Sequence, residues 1–162
     1  MQKNNNEALT TLVFNQAKAE KAKILQAQAD AIDAYFKGRN APLEGTGMKM
    51  AIEADKNGLD WRLLPAISAR ESNTGKEACK RVSHSFFGWG SCKINFDSND
   101  QAIEVVASNL GGNDLDTDQY YKGKTTKQIL RTYNTVIEKY PEQVMKIMDK
   151  IGSEKIVLNG NA

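Results

Sequence analysis

Glu71 stands at the end of an apolar helical run, LLPAISARESNTG (63–75), and just before a loop rich in chemically useful side chains. That loop, KEACKRVSHSFFGWGSCKINFDS (76–98), holds both cysteines, the only histidine and one of the two tryptophans. A carboxyl at a helix end, facing Phe86, Phe87 and Trp89, is suited to protonating a buried leaving group. Apolar surroundings penalise the charged form of an acid and so keep its proton available near neutral pH. The competing reading is a surface ion pair of Glu71 with Arg62, Arg70 or Arg81. No second carboxylate is fixed by spacing: Glu77 and Asp97 flank the loop, and each reads equally well as a cap or a surface charge. His84 reads as a loop residue bonded to backbone rather than a catalyst, and is kept among the candidate groove contacts.

Metal chemistry is not expected. The spacing of Cys79 and Cys92 matches no zinc pattern, and the chain offers one histidine to complete a site. Asp114, Asp116 and Asp118 begin like a calcium loop, but Gln119 stands where glycine is required and Thr125 where the bidentate glutamate should be. The acids therefore read as a solvated loop. The two cysteines read as a disulfide closing the central loop, contributing about 3 kcal/mol through the unfolded chain. The alternative is a pair of unbonded buried thiols in a reducing compartment.

The elements that would position these groups are helical. Residues 6–37 contain no proline or glycine and many strong helix formers, with Leu9, Val13, Ile24, Leu25, Ile32 and Phe36 at loose helical spacing. Its middle is too rich in alanine and glutamine for a firm core face. The C-terminal half is expected to pack on the domain and the N-terminal half to project, as a solvated stalk or a self-associating arm. After a Gly/Pro connector (37–47), a helix is expected over Met48–Lys56, then one over Trp61–Ser72 capped by Asp60, with Pro65 in its first turns. The pattern next predicts a short helix over Lys76–Val82, a tight loop over Phe86–Ser91 and a short extended piece over Cys92–Phe96. Ser98 with Gln101, and Thr125 with Gln128, are capping boxes. They open helices carrying Ile103, Val106 and Leu110, and Ile129, Leu130 and Tyr133. A last helix near Pro141–Lys150 buries Val144, Ile147, Met148 and Ile151. The fold class is mainly α, with at most a small β element near the site: an arm (1–40) and one domain (41–162).

The residues Arg70-Glu71-Ser72, Phe87-Gly88-Trp89-Gly90-Ser91 and Tyr133-Asn134 together resemble the lysozyme-like superfamily, in particular its bacterial and phage glucosaminidase and lytic transglycosylase branches. The likeness covers roughly Leu43–Gly152 and leaves out the arm. It implies a lysozyme-like helical domain that cleaves β-1,4 bonds of peptidoglycan, with Glu71 as general acid and Tyr133 supporting the acid or the developing charge. It also implies glycan contacts from Ser72, Gly88, Trp89, Gly90, Ser91, Phe87 and Asn134. Lytic transglycosylases usually have glutamine in the glycine turn and glycine soon after Tyr-Asn, where this chain has Trp89-Gly90-Ser91 and Thr135-Val136. Either hydrolysis or transglycosylation fits the resemblance.

Size and charge set outer bounds. A chain of 162 residues can bury about two-thirds of its unfolded surface as one domain. A net charge of +2 gives no ground for a nucleic-acid partner, and no cofactor is expected. No segment approaches the roughly 20 apolar residues of a membrane span. Met1–Asn6 lacks the pattern of a signal peptide, so an extracytoplasmic protein would need a leader outside this sequence or another route, such as release with a phage. Rival expectations are a glycan-binding module without turnover, or a virion or secretion assembly protein whose working part is the arm.

Overall fold

The computed structural model describes residues 2–154; residue 1 and the last eight positions of the expected 41–162 unit lie outside the described residues. Seven α-helices are present there, and no strand. α1 (Gln2–Lys37) is the long N-terminal helix, four residues longer at its start than its composition predicts. Its two halves differ as expected. Ala29, Ala31, Ile32, Tyr35 and Phe36 are buried, while Leu12 and Phe14 stand 65% and 67% exposed. Only the C-terminal half therefore contributes to the core.

α1 turns back onto α2 (Gly47–Lys56) through the connector, and the two helices pack closely. Asp33 of α1 sets the angle, since its Oδ1 accepts from the backbone N–H of Gly45 (2.8 Å) and Gly47 (3.0 Å). It thereby satisfies donors at the start of α2 that no intrahelical partner reaches. A Cβ on Gly47 would stand 2.4 Å from the Ala29 carbonyl, so only glycine permits this approach.

α3 (Leu63–Ser72) is the central helix, with six consecutive buried residues from Leu63 to Ser68. Burial on every side explains why LLPAISA shows no polar face: bulky Leu and Ile alternate with Pro, Ala and Ser where neighbours come close. Pro65 falls in the first turn, where its missing N–H has no partner to lose. The helix begins two residues later than expected because Asp60 acts before it. Its Oδ1 accepts from Arg62 N (3.0 Å), and the carboxylate also takes the Arg62 guanidinium at 2.7–2.9 Å. Burial, which alone would raise the Asp60 carboxyl, is outweighed by those bonds, and it sits below the ordinary carboxylate value.

α4 (Asn99–Leu110) opens on Ser98, whose hydroxyl accepts from Gln101 N, and covers α2 with Ile103, Val106 and Leu110. The four-residue α5 (Asp118–Tyr121) follows the acidic loop, in which Asp114 accepts from the backbone of Asp116 and Asp118. α6 (Thr126–Tyr133) carries the complete Thr125/Gln128 capping box. α7 (Tyr140–Gly152) packs along α3 and α6 through Tyr140, Val144, Met148 and Ile151.

Two local expectations are corrected. Lys76–Val82 forms turns, not a helix. Asn73, Thr74 and Gly75 take three successive positive φ values (50°, 61° and 91°), so the chain leaves α3 too sharply to restart a helix. Cys92–Phe96 is not a strand either. Cys92 is left-handed and Lys93 is near-helical, leaving Phe96 N to Ser83 O (3.2 Å) as its backbone bond across the loop.

Candidate functional site

Glu71 is the penultimate residue of α3, and the helix stops there because Asn73 adopts the left-handed conformation (φ 50°, ψ 52°) that asparagine tolerates better than most residues. Ser72 secures the exit: its Oγ donates to Ser68 O (3.0 Å) and accepts from Gly75 N (2.9 Å). It is buried, with its hydroxyl committed to the helix end, so its contribution is to fix the turn beneath the acid.

The Glu71 carboxyl is held from one side and open to a glycine from the other. Its Oε1 accepts a 2.6 Å bond from the hydroxyl of Tyr140, a residue with no exposed surface. Its Oε2 lies against Gly88, where a Cβ would stand 3.2 Å away. Gly88 is thus required twice, by its φ of +67° and by the proximity of the acid. The ion pairs that competed for Glu71 are not made. Arg62 binds Asp60 and Asp149, while Arg70 donates to Gln143 Oε1 (2.9 Å) with its guanidinium 5.8 Å from the Tyr140 ring.

Aromatic residues extend the wall from the acid outward. Tyr140 stacks on Tyr133 (6.0 Å between centroids, 10° between planes), and Trp89 tilts against Tyr133 (5.8 Å) and Tyr121 (6.3 Å). The Tyr133 hydroxyl donates to the Phe87 carbonyl rather than to Glu71. Tyr133 therefore ties α6 to the glycine loop, and the direct phenolic support of the acid belongs to Tyr140. Phe86 and Phe87, 4.4 Å apart, are buried beneath this loop and anchor it. Burial, then the nearby Glu71 charge, pushes the Tyr133 phenol far up. Burial, then the bond to Glu71, does the same for Tyr140. Both stay neutral donors across the physiological range, and neither can serve as a base.

Gly88, Trp89, Gly90, Ser91 and Tyr133 line a groove of about 320 Å³. A larger hollow, about 610 Å³, lies between α1 and the segment just ahead of α3, with Glu20, Asp55 and Asp60 in its lining, whereas Glu71 stands near the other end of α3. The smaller groove is the candidate site because one of its lining residues, Gly88, lies against the carboxyl that Tyr140 holds, although Glu71 itself is not among the residues that line it. Ser91 is exposed with a positive φ (57°), and Cys79 and Cys92 are at disulfide distance (Cα–Cα 5.8 Å), which secures the loop's ends.

The remaining predicted residues serve locally. His84 pairs with Asn99 Oδ1 (2.7 Å) at the start of α4 and is not among the groove's lining. Asn134 accepts from Val136 N and Ile137 N, shaping the turn between α6 and α7. Glu77 accepts from Asn73, and Asp97 binds Gln101. Tyr140 was missed by sequence reasoning. Its position four residues before Val144 continues the buried stripe of α7, a legible signal of burial, but nothing in spacing aims its hydroxyl at Glu71.

No protein-family model, curated protein or solved structure matches this chain.

Proposed function

We propose that this protein is a glycosidase that cleaves the β-1,4 bonds of peptidoglycan between N-acetylated amino sugars, with Glu71 as its general acid. The observation that supports this most is the carboxyl bound through Oε1 to a buried tyrosine, with Oε2 against Gly88, which lines a groove together with Trp89 and Tyr133. Protonation of the glycosidic oxygen by Oε2 would let the bond break as positive charge develops on the sugar ring. Trp89 offers an apolar face on which a sugar can lie, and Gly88 and Gly90 allow glycan to approach the backbone. Tyr140 keeps the carboxyl from rotating away while the proton moves. After departure of the leaving group Glu71 is the base for the next step. The two flanking acids are engaged with Asn73 and Gln101, so the cation is captured by water oriented by the substrate or by the substrate's own 6-hydroxyl. A lysozyme-like domain acting on the cell wall outside the cytoplasm, free or on a phage particle, is the setting this reading implies.

The test is release of muropeptides from purified sacculi by wild type and Glu71→Gln. A loss of roughly 10²–10⁴-fold is expected on removing a general acid, and unchanged release would remove Glu71 from the mechanism. Anhydro ends among the products mark transglycosylation, and reducing ends mark hydrolysis. One observation favours a second reading. The exposed Leu12, Val13 and Phe14 on α1 suit an assembly protein that self-associates through its arm. Inactive wild type that forms concentration-dependent oligomers would favour it.

A further inference from the structure

The loop beside the groove carries charge that its own fold does not explain. Residues 79–96 contain Lys80, Arg81 and Lys93 and no Asp or Glu. That is three positive charges in a chain whose formal net charge is +2. Two limbs of this loop are tied to each other at two places. Cys79 meets Cys92, and Ser83 meets Phe96 through a 3.2 Å backbone bond, with Ser83 N also donating to Asn95 Oδ1 (2.9 Å). Lys80 directly follows Cys79 and Lys93 directly follows Cys92, so the disulfide ties the two together in the chain, and Arg81 follows Lys80. All three are exposed, and among the described residues none takes part in an ion pair. The nearest acids in sequence, Glu77 and Asp97, are held by Asn73 and Gln101. Neighbouring like charges repel, and a one-sign patch at a groove raises the local concentration of oppositely charged ligand. Lys93 is two residues from Ser91, which lines the groove, and the Cys79–Cys92 bond ties Lys80 and Arg81 to that end of the loop.

Resting on the glycosidase reading, we infer that Lys80, Arg81 and Lys93 form an anion-binding rim that selects glycan strands bearing acidic substituents over neutral amino-sugar polymers. Free carboxylates of stem peptides and phosphodiesters of wall-linked polymers share the required chemistry. The rim grips such groups while the strand lies along Trp89.

The experiment is co-sedimentation in the Glu71→Gln background, so that turnover plays no part, with and without Lys80→Gln/Arg81→Gln/Lys93→Gln. The probes are sacculi with stems and phosphate polymers intact, sacculi stripped of phosphate polymers, strands stripped of both by acid and amidase, and an insoluble N-acetylglucosamine polymer. Thermal melting confirms that the exposed substitutions leave the fold intact. Binding to an anionic strand should weaken about tenfold, on the scale of a few exposed charge pairs, and become less salt-sensitive. Binding to the doubly stripped strand should hardly change. Loss confined to stem-bearing strands identifies carboxylates, and loss that disappears with the phosphate polymer identifies phosphodiesters; either supports the rim. Equal loss on all four probes, or no loss on any, overturns it while leaving the glycosidase reading standing. Failure of the Glu71→Gln protein with an intact rim to bind any probe overturns both.

Discussion

One wall of the groove is Tyr133 of α6; Tyr140 stacks on that ring from behind, and Leu64, Ile67, Leu130, Tyr140 and Val144 of α3, α6 and α7 have no exposed surface. The facing wall, residues 79–96, contains a single 3-10 turn (Trp89–Cys92) and is fixed by the Cys79–Cys92 pair, the buried Phe86 and Phe87, and a few hydrogen bonds. The carboxyl of Glu71 belongs to the helices behind the first wall, and the groove's glycines, Gly88 and Gly90, to the second. Catalytic groups need positional precision that dense packing supplies, because interiors packed like crystals leave side chains little freedom. A wall that meets a long polymer can be more pliant. On the proposed reading the division separates what holds Glu71 from what would grip substrate, and mutations on the two sides should have different signatures.

The largest expected difference lies within the first wall. Glu71→Gln should abolish most activity while changing stability by no more than about 1 kcal/mol, since an amide oxygen can still accept the Tyr140 bond. Melting and muropeptide release measured on the same preparation check this. A variant that loses activity only because it unfolds would remove the distinction between the walls.

Next comes the disulfide. Cys79→Ala/Cys92→Ala, or reduction, should lower stability by about 3 kcal/mol through the unfolded chain. Weakened glycan binding should accompany it, as Ser91 and Lys93 lose their tether. A reductant titration followed by melting and by co-sedimentation reads both. Unchanged melting would show that Phe86 and Phe87 alone hold the second wall.

A finer comparison uses two phenols. Tyr140→Phe strips Glu71 of its buried donor and should cost about 1–3 kcal/mol in stability, with a fall in kcat and little change in KM. Tyr133→Phe releases the Phe87 carbonyl and should cost about 1 kcal/mol, with its effect mainly on KM because the glycine loop is what loosens. Steady-state kinetics on a soluble glycan fragment would separate them. The same pattern for both variants would mean that the walls act as one unit.

These contrasts match what could and could not be read from residue order. The helical elements were legible because periodicity and caps are local: Thr125 with Gln128 forms the capping box its spacing predicts, whereas Ser98 forms half of one, its hydroxyl accepting from Gln101 N while the Gln101 side chain accepts from Asp97 N. The projecting arm was legible from its weak apolar face. The 73–96 loop was not, because left-handed Asn73, Thr74, Ser91 and Cys92 obey tertiary demands that no propensity encodes. For the site, Glu71, the glycine turn and Trp89 were readable as residue types, whereas the exchange of roles between Tyr133 and Tyr140 depends on how α7 lies across α3. Ser72, His84 and Asn134 show the converse, polar residues near a site in sequence whose bonds turn out to be local.

The smallest expected effect tests whether the first wall depends on its distant end. Asp60 binds Arg62 just ahead of α3, with Glu71 at the other end of the same helix. Its carboxyl sits below the ordinary value because the Arg62 bonds outweigh burial. A group lowered in the folded state contributes stability that is present above its unfolded value, near 3.9. That contribution is lost as pH falls through the folded value, since the unfolded chain takes up the proton first. Asp60→Asn should therefore cost about 1 kcal/mol at neutral pH. The gap to wild type should close as the pH falls below about 4, followed by melting across pH 2–7. Its kcat should be unchanged, because the buried stretch from Leu63 to Ser68 isolates the carboxyl of Glu71 from fraying at the first turn. A fall in kcat without a fall in melting temperature would show that the start of α3, and not only Tyr140, sets the position of the acid.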